Sequence, residues 1–235
     1  MQKVILIFML LCFYGISNAA SPSFTFKLTP YIGADIGIKK LRFKPGYGDN
    51  LFEADLPFSN LFFGLKFNDY LGIEGGYEST LQRKKTTTLF CGAQNLGLTL
   101  TANSAKYISK DKIYGWHIGV AGEYPLYNNT KINNTSSIIW YAGIKNTTTK
   151  LIRNRIQLNY NDSYDYIVLN QNYKKNIAKI AIGVKNFINK HFATRVLITW
   201  EQTAKINPFS IYTSTSTITA KLQNSISYSI GIIIK

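Results

Sequence analysis

The chain holds two histidines, and only His117 lies in a patterned segment where it could act on a substrate. Hydrolases and acyltransferases need a serine or a carboxylate coupled to such an imidazole. Gly119 and Glu123 follow His117 on the same face of its segment, so that strand brings no serine near the ring. A partner from a neighbouring strand stays open. We expect His117 to be a packed or hydrogen-bonded side chain and predict no catalytic residue.

Motifs for cofactors and metals are not found in the sequence. The chain has no P-loop, no dinucleotide-binding glycine pattern and no zinc-ligand spacing. The two acidic residues Asp162 and Asp165 could contact calcium, but two carboxylates are a weak signal for that ion. We therefore predict no metal site and no cofactor.

The first twenty residues have the features of an export signal. Lys3 is followed by an apolar run from Val4 to Tyr14 and then by small residues that end at Ala19. This pattern predicts a secretory signal peptide over residues 1–19 and a mature domain over residues 20–235. Cys91 is then the only cysteine of the mature domain, so no disulfide can form within it.

Alternation of apolar and polar residues dominates the mature sequence. The full chain has 46% hydrophobic and 14% aromatic residues, which exclude a disordered chain and favour β-structure. The period of two predicts eight strands, joined alternately by short turns and long loops such as 79–112 and 146–174. This arrangement is typical of a transmembrane β-barrel. The predicted strands lie within 24–38, 61–67, 71–77, 114–124, 138–144, 178–184, 192–200 and 226–234.

The residue types on the two strand faces separate a membrane barrel from a soluble one. The less apolar face combines glycines, such as Gly64, Gly76 and Gly143, with single charges. Small residues suit the narrow interior of an eight-stranded barrel, whereas glycines facing solvent would weaken the strands. We predict an all-β fold, an eight-stranded antiparallel transmembrane β-barrel with an apolar outer face. A secreted, soluble lipocalin-like barrel, in which the apolar face is the core, is the alternative.

This orientation assigns two sets of side chains. Aromatic residues of the apolar face are expected at the lipid headgroups, as a girdle. Charged residues of the other face are expected inside the barrel, where each needs a partner because unpaired buried charge is costly. We expect Lys66 to pair with Glu74 across the turn, and the charges to form a plug rather than an ion path. The girdle residues are Phe67, Tyr77, Tyr114, Trp116, Tyr124, Trp140, Phe192 and Trp200, and the interior charges are Lys66, Glu74, Glu123, Lys145, Lys179, Lys185 and Arg195.

Two segments between residues 29 and 78 resemble a known family. They read TPYIGADIGIKK and FGLKFNDYLGIEGGYE, and this strand–turn–strand is similar to the OmpA-like small outer-membrane β-barrel proteins of Gram-negative bacteria. The resemblance is good over the first four predicted strands and only architectural beyond them. It implies a barrel in the bacterial outer membrane with both termini in the periplasm and four loops outside. One departure is Lys235, at a position where such barrels usually carry an aromatic residue.

The predicted loops are basic, in a chain with a formal net charge of +15. Basic surfaces attract anionic groups, so the candidate partners are outer-membrane lipid and lipopolysaccharide, or a glycan or receptor on a host surface. The lysine-rich composition of an AT-rich genome explains the same charge without a partner. Nucleic acid is not expected as a partner of an exported protein without a recognition motif. The basic loop residues are Arg83, Lys84, Lys85, Lys106, Lys110, Lys150, Arg153 and Arg155.

The sequence thus predicts a non-enzymatic, monomeric integral outer-membrane protein that supports the membrane, displays basic loops and could serve adhesion to anionic surfaces. Three alternatives stay open beside it. A narrow porin requires interior side chains too few or too small to fill the lumen. A lipid-modifying barrel enzyme requires a serine or carboxylate within hydrogen-bond reach of His117. A secreted soluble binding protein requires the apolar face to be buried.

Overall fold

A computed structural model describes residues 27–41, 55–90, 104–129, 134–158, 164–202, 211–212, 217–218 and 224–235. The predicted signal peptide, Cys91 and Asp162 lie outside the described residues. Within the described ranges there is no helix with the length and apolarity needed to cross a membrane.

The described residues form strands only, and all the long ones belong to one sheet. The strands are β1 (Thr29–Lys40), β2 (Asp55–Lys66), β3 (Leu71–Thr80), β4 (Arg83–Phe90), β5 (Ser104–Asn129), β6 (Asn134–Leu158), β7 (Tyr164–Phe187), β8 (Phe192–Glu201), β9 (Ile211–Tyr212), β10 (Thr217–Ile218) and β11 (Ser225–Ile234). The two-residue strands β9 and β10 pair with each other in a separate hairpin.

The main sheet closes into a barrel whose wall is eight antiparallel strands around. Its strands pair in the order β3-β2-β1-β11-β8-β7-β6-β5, and pairing of β3 with β5 closes the ring. Strand β4 follows β3 in the same position of the wall, since both pair with β5. Ser79 lies opposite Tyr114 whereas Arg83 lies opposite Asp111, so one extra residue is accommodated between the two strands as a bulge. The predicted eight-stranded antiparallel barrel is confirmed.

Side chains of the barrel wall alternate between an apolar outside and a polar inside. In β11, Tyr228, Ile230 and Ile232 are exposed, whereas Ser227 and Ser229 are buried. The same alternation runs through β1, β2 and β8. A wall with large apolar side chains outside and charged ones inside inverts the rule for soluble proteins and is that of a membrane barrel. The soluble lipocalin-like alternative required the apolar face to be the core. The apolar face lies outside instead, so this alternative is wrong.

Glycines on the inner face leave room for aromatic rings to lie across the interior, which we call the bore. The Tyr31 ring lies over Gly64 and the Phe62 ring over Gly33, where a Cβ atom would collide with the ring. The two rings meet edge to face, with centroids 6.3 Å apart. Glycine is thus needed at these positions for space, which is the role that small residues were expected to have in a narrow barrel.

Strands β5, β6 and β7 are much longer than a bilayer requires. They contain 26, 25 and 24 residues, whereas about 9–11 residues of a tilted strand cross the hydrocarbon core. Most of their excess lies at the end opposite to the turn of residues 67–70. With β4, this part of the three strands forms a four-stranded sheet that continues the wall beyond the ring, and we call this sheet the extension.

The extension corrects the prediction that residues 79–112 and 146–174 are loops. Most of the described residues in these two segments belong to paired strands. The strands were missed because threonine, lysine and asparagine occupy both alternating positions, as in Asn146–Lys150. Without an apolar face, the period-two signal disappears although the backbone pairing persists.

Candidate functional site

The charged residues of the inner face meet inside the bore in three layers. Each layer joins side chains from at least three strands, and each mixes both signs of charge. We name them the loop-end, middle and turn-end layers, by increasing closeness to the short turn of residues 67–70. Together they occupy most of the length of the barrel interior.

The loop-end layer contains three lysines and two glutamates, all buried. Lys145 Nζ lies 2.6 Å from Glu78 Oε1 and 3.0 Å from Glu201 Oε1. Lys39 bonds to the same two carboxylates, at 2.7 Å from Glu201 Oε2, and Lys179 Nζ lies 3.1 Å from Glu78 Oε2. Five strands contribute one residue each, so the layer ties together opposite sides of the wall.

The middle layer is centred on Arg195. Its guanidinium donates two parallel hydrogen bonds to Asp35, with Nε to Oδ1 at 2.8 Å and Nη2 to Oδ2 at 2.7 Å. It also donates to Glu74 through Nη1 at 2.8 Å. The guanidinium carbon lies 3.5 Å from the centroid of the Phe62 ring, so the cation also stacks on an aromatic face. One arginine thus serves two buried carboxylates.

His117 belongs to a hydrogen-bond chain that joins the middle layer. Its Nε2 lies 2.9 Å from Asn60 Oδ1, and its Nδ1 lies 3.1 Å from the Tyr141 hydroxyl. Asn60 donates through Nδ2 to Asp35 Oδ2 at 2.9 Å. Because the amide oxygen of Asn60 can only accept, the network assigns the proton to Nε2 and makes Tyr141 the donor to Nδ1. One ring nitrogen bonds to the amide of Asn60 and the other to the phenol of Tyr141. Neither bonds to the serine or carboxylate that the enzyme alternative required.

The turn-end layer is built around Glu123, which lies 2.6 Å from Lys66 Nζ and also bonds to Lys185. This corrects the prediction that Lys66 pairs with Glu74, whose partner is Arg195. In the register of β2 and β3, Lys66 lies opposite Gly72. Since glycine has no side chain, Lys66 extends over that position to the carboxylate on β5.

The described side chains leave little room for water in the bore. The cavity between them measures about 60 Å³ and is lined by members of all three layers. One water occupies about 10–15 Å³ on this scale, so the cavity holds only a few molecules. A narrow porin would need a lumen that its side chains fail to fill, and this interior is packed. No group of three or more described acidic, histidine or cysteine side chains is placed to hold a metal ion.

The structure places all the predicted interior charges inside the bore and adds four further charges to the ion-pair layers. Lys66 is half-buried and the other six predicted residues are buried. The missed members are Asp35, Lys39, Glu78 and Glu201. A signal for them was present, because Asp35 and Lys39 share the alternating face of Gly33 and Gly37 in β1. The interior contacts of Asn60 and Tyr141 could not be read from alternation alone.

The aromatic residues predicted as a girdle lie near the two ends of the apolar wall. Trp116 and Tyr124 are 68% and 64% exposed and stand eight residues apart on β5. Eight residues span about 26 Å along a strand. Because the strands are tilted by about 40° from the barrel axis, this is about 20 Å along the axis. The apolar band of such barrels is about 25 Å tall. The turn end carries Phe67, Tyr124, Trp140 and Phe192, and the loop end carries Tyr77, Tyr114, Trp116 and Trp200.

The residues predicted as a basic loop patch lie on strands of the extension, which corrects their assignment to loops. Arg83, Lys84 and Lys110 are exposed. Lys84 and Lys110 are directly paired across β4 and β5. Positive charge is therefore carried by an ordered sheet. By strand, Arg83, Lys84 and Lys85 belong to β4, Lys106 and Lys110 to β5, and Lys150, Arg153 and Arg155 to β6.

Comparison with known proteins assigns no family by sequence, since no protein-family profile and no curated protein matches the chain. Among solved structures it is similar to Ail, the attachment invasion locus protein of Yersinia pestis, with TM-score 0.43, 10% identity and coverage of 89% of this chain and 100% of that chain. It is also similar to Neisserial surface protein A, with TM-score 0.40, 11% identity and coverage of 89% of this chain and 99% of that chain. A third similar structure is the outer membrane protease OmpT from Escherichia coli, with TM-score 0.43, 11% identity and coverage of 93% of this chain and 99% of that chain. These likenesses are too distant to carry a function.

Proposed function

We propose that this protein is a non-enzymatic outer-membrane barrel that stiffens the membrane and displays a basic β-sheet at the cell surface, through which it adheres to anionic surfaces. The observation that carries the proposal is the extension. Three strands of 24–26 residues continue the membrane wall beyond its apolar part and bring basic residues out with them. A cleaved signal peptide over residues 1–19, insertion as a monomer and contact with lipopolysaccharide belong to the same proposal.

The packed bore supports a structural role for the barrel itself. Its charges are bonded to one another in three layers that tie strands on opposite sides of the wall. Such a network resists deformation of the barrel, because any opening would leave buried charges without partners. It also supports a role without transport, since the cavity between the described side chains of the layers is small.

The extension supports adhesion through charge. The register of β4, β5 and β6 brings Lys85 and Arg153 to one row across the sheet, on either side of Ser109. Arg155 follows two residues along β6 from Arg153. Rows of basic residues on a paired sheet suit an extended polyanion, such as a sulfated or carboxylated glycan, because it presents repeated negative charges.

The test is adhesion of bacteria that display the full chain to beads coated with heparin, against beads coated with neutral dextran. We expect retention on heparin to fall with added salt and to drop strongly in a variant with Lys85→Gln, Arg153→Gln and Arg155→Gln. The matched control makes the same charge change at exposed positions outside the extension, with Lys27→Gln, Lys40→Gln and Lys190→Gln. Equal retention of the two variants contradicts adhesion through the extension.

Conductance across a planar bilayer tests the plugged barrel separately. We expect the purified chain to insert without stepwise currents, because the ion-pair layers close the bore. Regular current steps that scale with salt concentration would favour the porin alternative instead. The two assays are independent, so failure of adhesion leaves the structural role of the barrel standing.

A further inference from the structure

Four lysines face one another on the outer side of the extension, directly above the aromatic girdle. Lys84 on β4 is paired with Lys110 on β5. Two residues along β5, on the same face, Lys112 is paired with Lys150 on β6. Lys84 and Lys110 are exposed, and Lys112 and Lys150 are half-buried. We call these residues the lysine quartet.

The geometry of the lysine quartet concentrates positive charge. Directly paired residues have Cβ atoms about 5 Å apart, and residues two apart on a strand are separated by about 7 Å. Like charges that face each other across strands destabilise a sheet. On the next strand, Lys110 is paired with Ile152 of β6 and Lys150 with Asn172 of β7. These partners bring no acidic residue to the quartet. An anionic ligand would remove this repulsion.

The position of the quartet identifies the source of that anion. Lys112 lies two residues from Tyr114, and its ammonium is 5.7 Å from the centroid of the Tyr114 ring. Trp116, two residues further on the same face, is 68% exposed on the apolar wall. Tyrosine and tryptophan on the outer wall mark the headgroup level of a bilayer. The quartet therefore begins where the phosphate groups of lipid headgroups are found.

We propose that the lysine quartet is a binding site for the phosphate groups of lipid headgroups in the outer leaflet. This inference rests on the proposed outer-membrane location and adds a specific partner for one part of the extension. A lipid is favoured over a soluble polyanion because the quartet lies on the lipid-facing side and is continuous with the girdle. Two to three lysines within about 7 Å of one another can share one phosphate, which accepts several charge-assisted hydrogen bonds.

The experiment places the full chain in phosphatidylcholine nanodiscs that contain an increasing fraction of bisphosphorylated lipid A, and counts retained lipid A by native mass spectrometry. We expect Lys110→Gln with Lys112→Gln to weaken retention by at least about tenfold, since two charge-assisted contacts are lost. The matched control, Lys27→Gln with Lys190→Gln, makes the same charge change at exposed residues near the turn end and should retain lipid A as the unaltered chain does.

Two further arms identify the ligand. Dephosphorylated lipid A should be retained weakly and equally by all three proteins, and an excess of soluble heparin should leave the phosphate-dependent retention in place. Equal retention of both forms of lipid A by the unaltered chain overturns the proposal, as does displacement by heparin, which would make the quartet a site for soluble polyanions. Heparin-bead adhesion and bilayer conductance of the same two variants show separately whether the proposed function holds.

Discussion

Replacing Arg195 by methionine tests the middle layer of the bore most sharply. Methionine keeps an unbranched side chain of similar length but removes the charge and every hydrogen-bond donor. In the folded protein Arg195 lies at 2.7–2.8 Å from oxygens of Asp35 and Glu74 and is 5% exposed. Arg195→Met therefore leaves two carboxylates in the bore without their cation.

The expected loss of stability follows from that geometry. Removing one partner of a buried ion pair costs about 3–5 kcal/mol, because the remaining charge stays desolvated. Here two carboxylates lose their counter-ion, although Asp35 keeps its hydrogen bond from Asn60 and Glu74 its bond from Tyr31. We expect a decrease of about 3–5 kcal/mol in the free energy of unfolding, at the upper end of what single substitutions do.

The assay is reversible urea unfolding of the refolded chain in lipid vesicles, followed by tryptophan fluorescence and by the mobility shift between unheated and boiled samples. A triple variant, Asp35→Asn with Glu74→Gln and Arg195→Met, removes all three charges and should recover most of the loss. Lys175→Met, at an exposed position, is the control and should change the free energy by less than about 0.5 kcal/mol. A loss under about 1 kcal/mol for Arg195→Met, or a triple variant as unstable as the single one, refutes the reasoning.

Two further substitutions test packing in the bore. Gly64→Val places a side chain where the Tyr31 ring lies, so the refolded fraction in a heat-mobility gel should fall sharply, whereas Gly75→Ala, whose Cβ would approach no atom closer than 3.2 Å, should refold as the unaltered chain does. His117→Phe keeps a ring but removes both hydrogen bonds of the imidazole, so urea unfolding should show a loss of about 1–3 kcal/mol. An unchanged unfolding midpoint for His117→Phe would contradict a structural role for the histidine.

The barrel could be predicted from sequence because its two faces differ in kind. Exposed apolar residues alternate with glycines, polar residues or charges along most strands of the barrel, and this alternation sets both the strands and their orientation. The same reading failed in the extension. Around Asn146–Lys150 polar residues occupy both faces, so backbone pairing leaves no trace in hydropathy. Only the register with β5 and β7 shows that these residues are strands.

The charged interior could be predicted as a set but not as pairs. Alternation decides whether a lysine points into the bore, whereas its partner depends on how far the side chain reaches across neighbouring strands. Lys66 extends over Gly72 to Glu123, and Arg195 on β8 bonds to Glu74 on β3. The side-chain contacts of the bore join residues up to 162 positions apart in the chain, as between Lys39 and Glu201. They follow from the closure of the barrel and not from any local pattern.

Tryptophan quenching by brominated lipids tests the central claim, that the apolar face of the barrel contacts lipid. The chain has three tryptophans, Trp116, Trp140 and Trp200, and all three lie on the outer side of the wall. In vesicles of phosphatidylcholine brominated along its acyl chains, we predict strong quenching of the refolded chain, greatest with bromine near the headgroup, because all three lie near the ends of the apolar wall. Emission that is unchanged by brominated lipid in a folded chain would contradict the account.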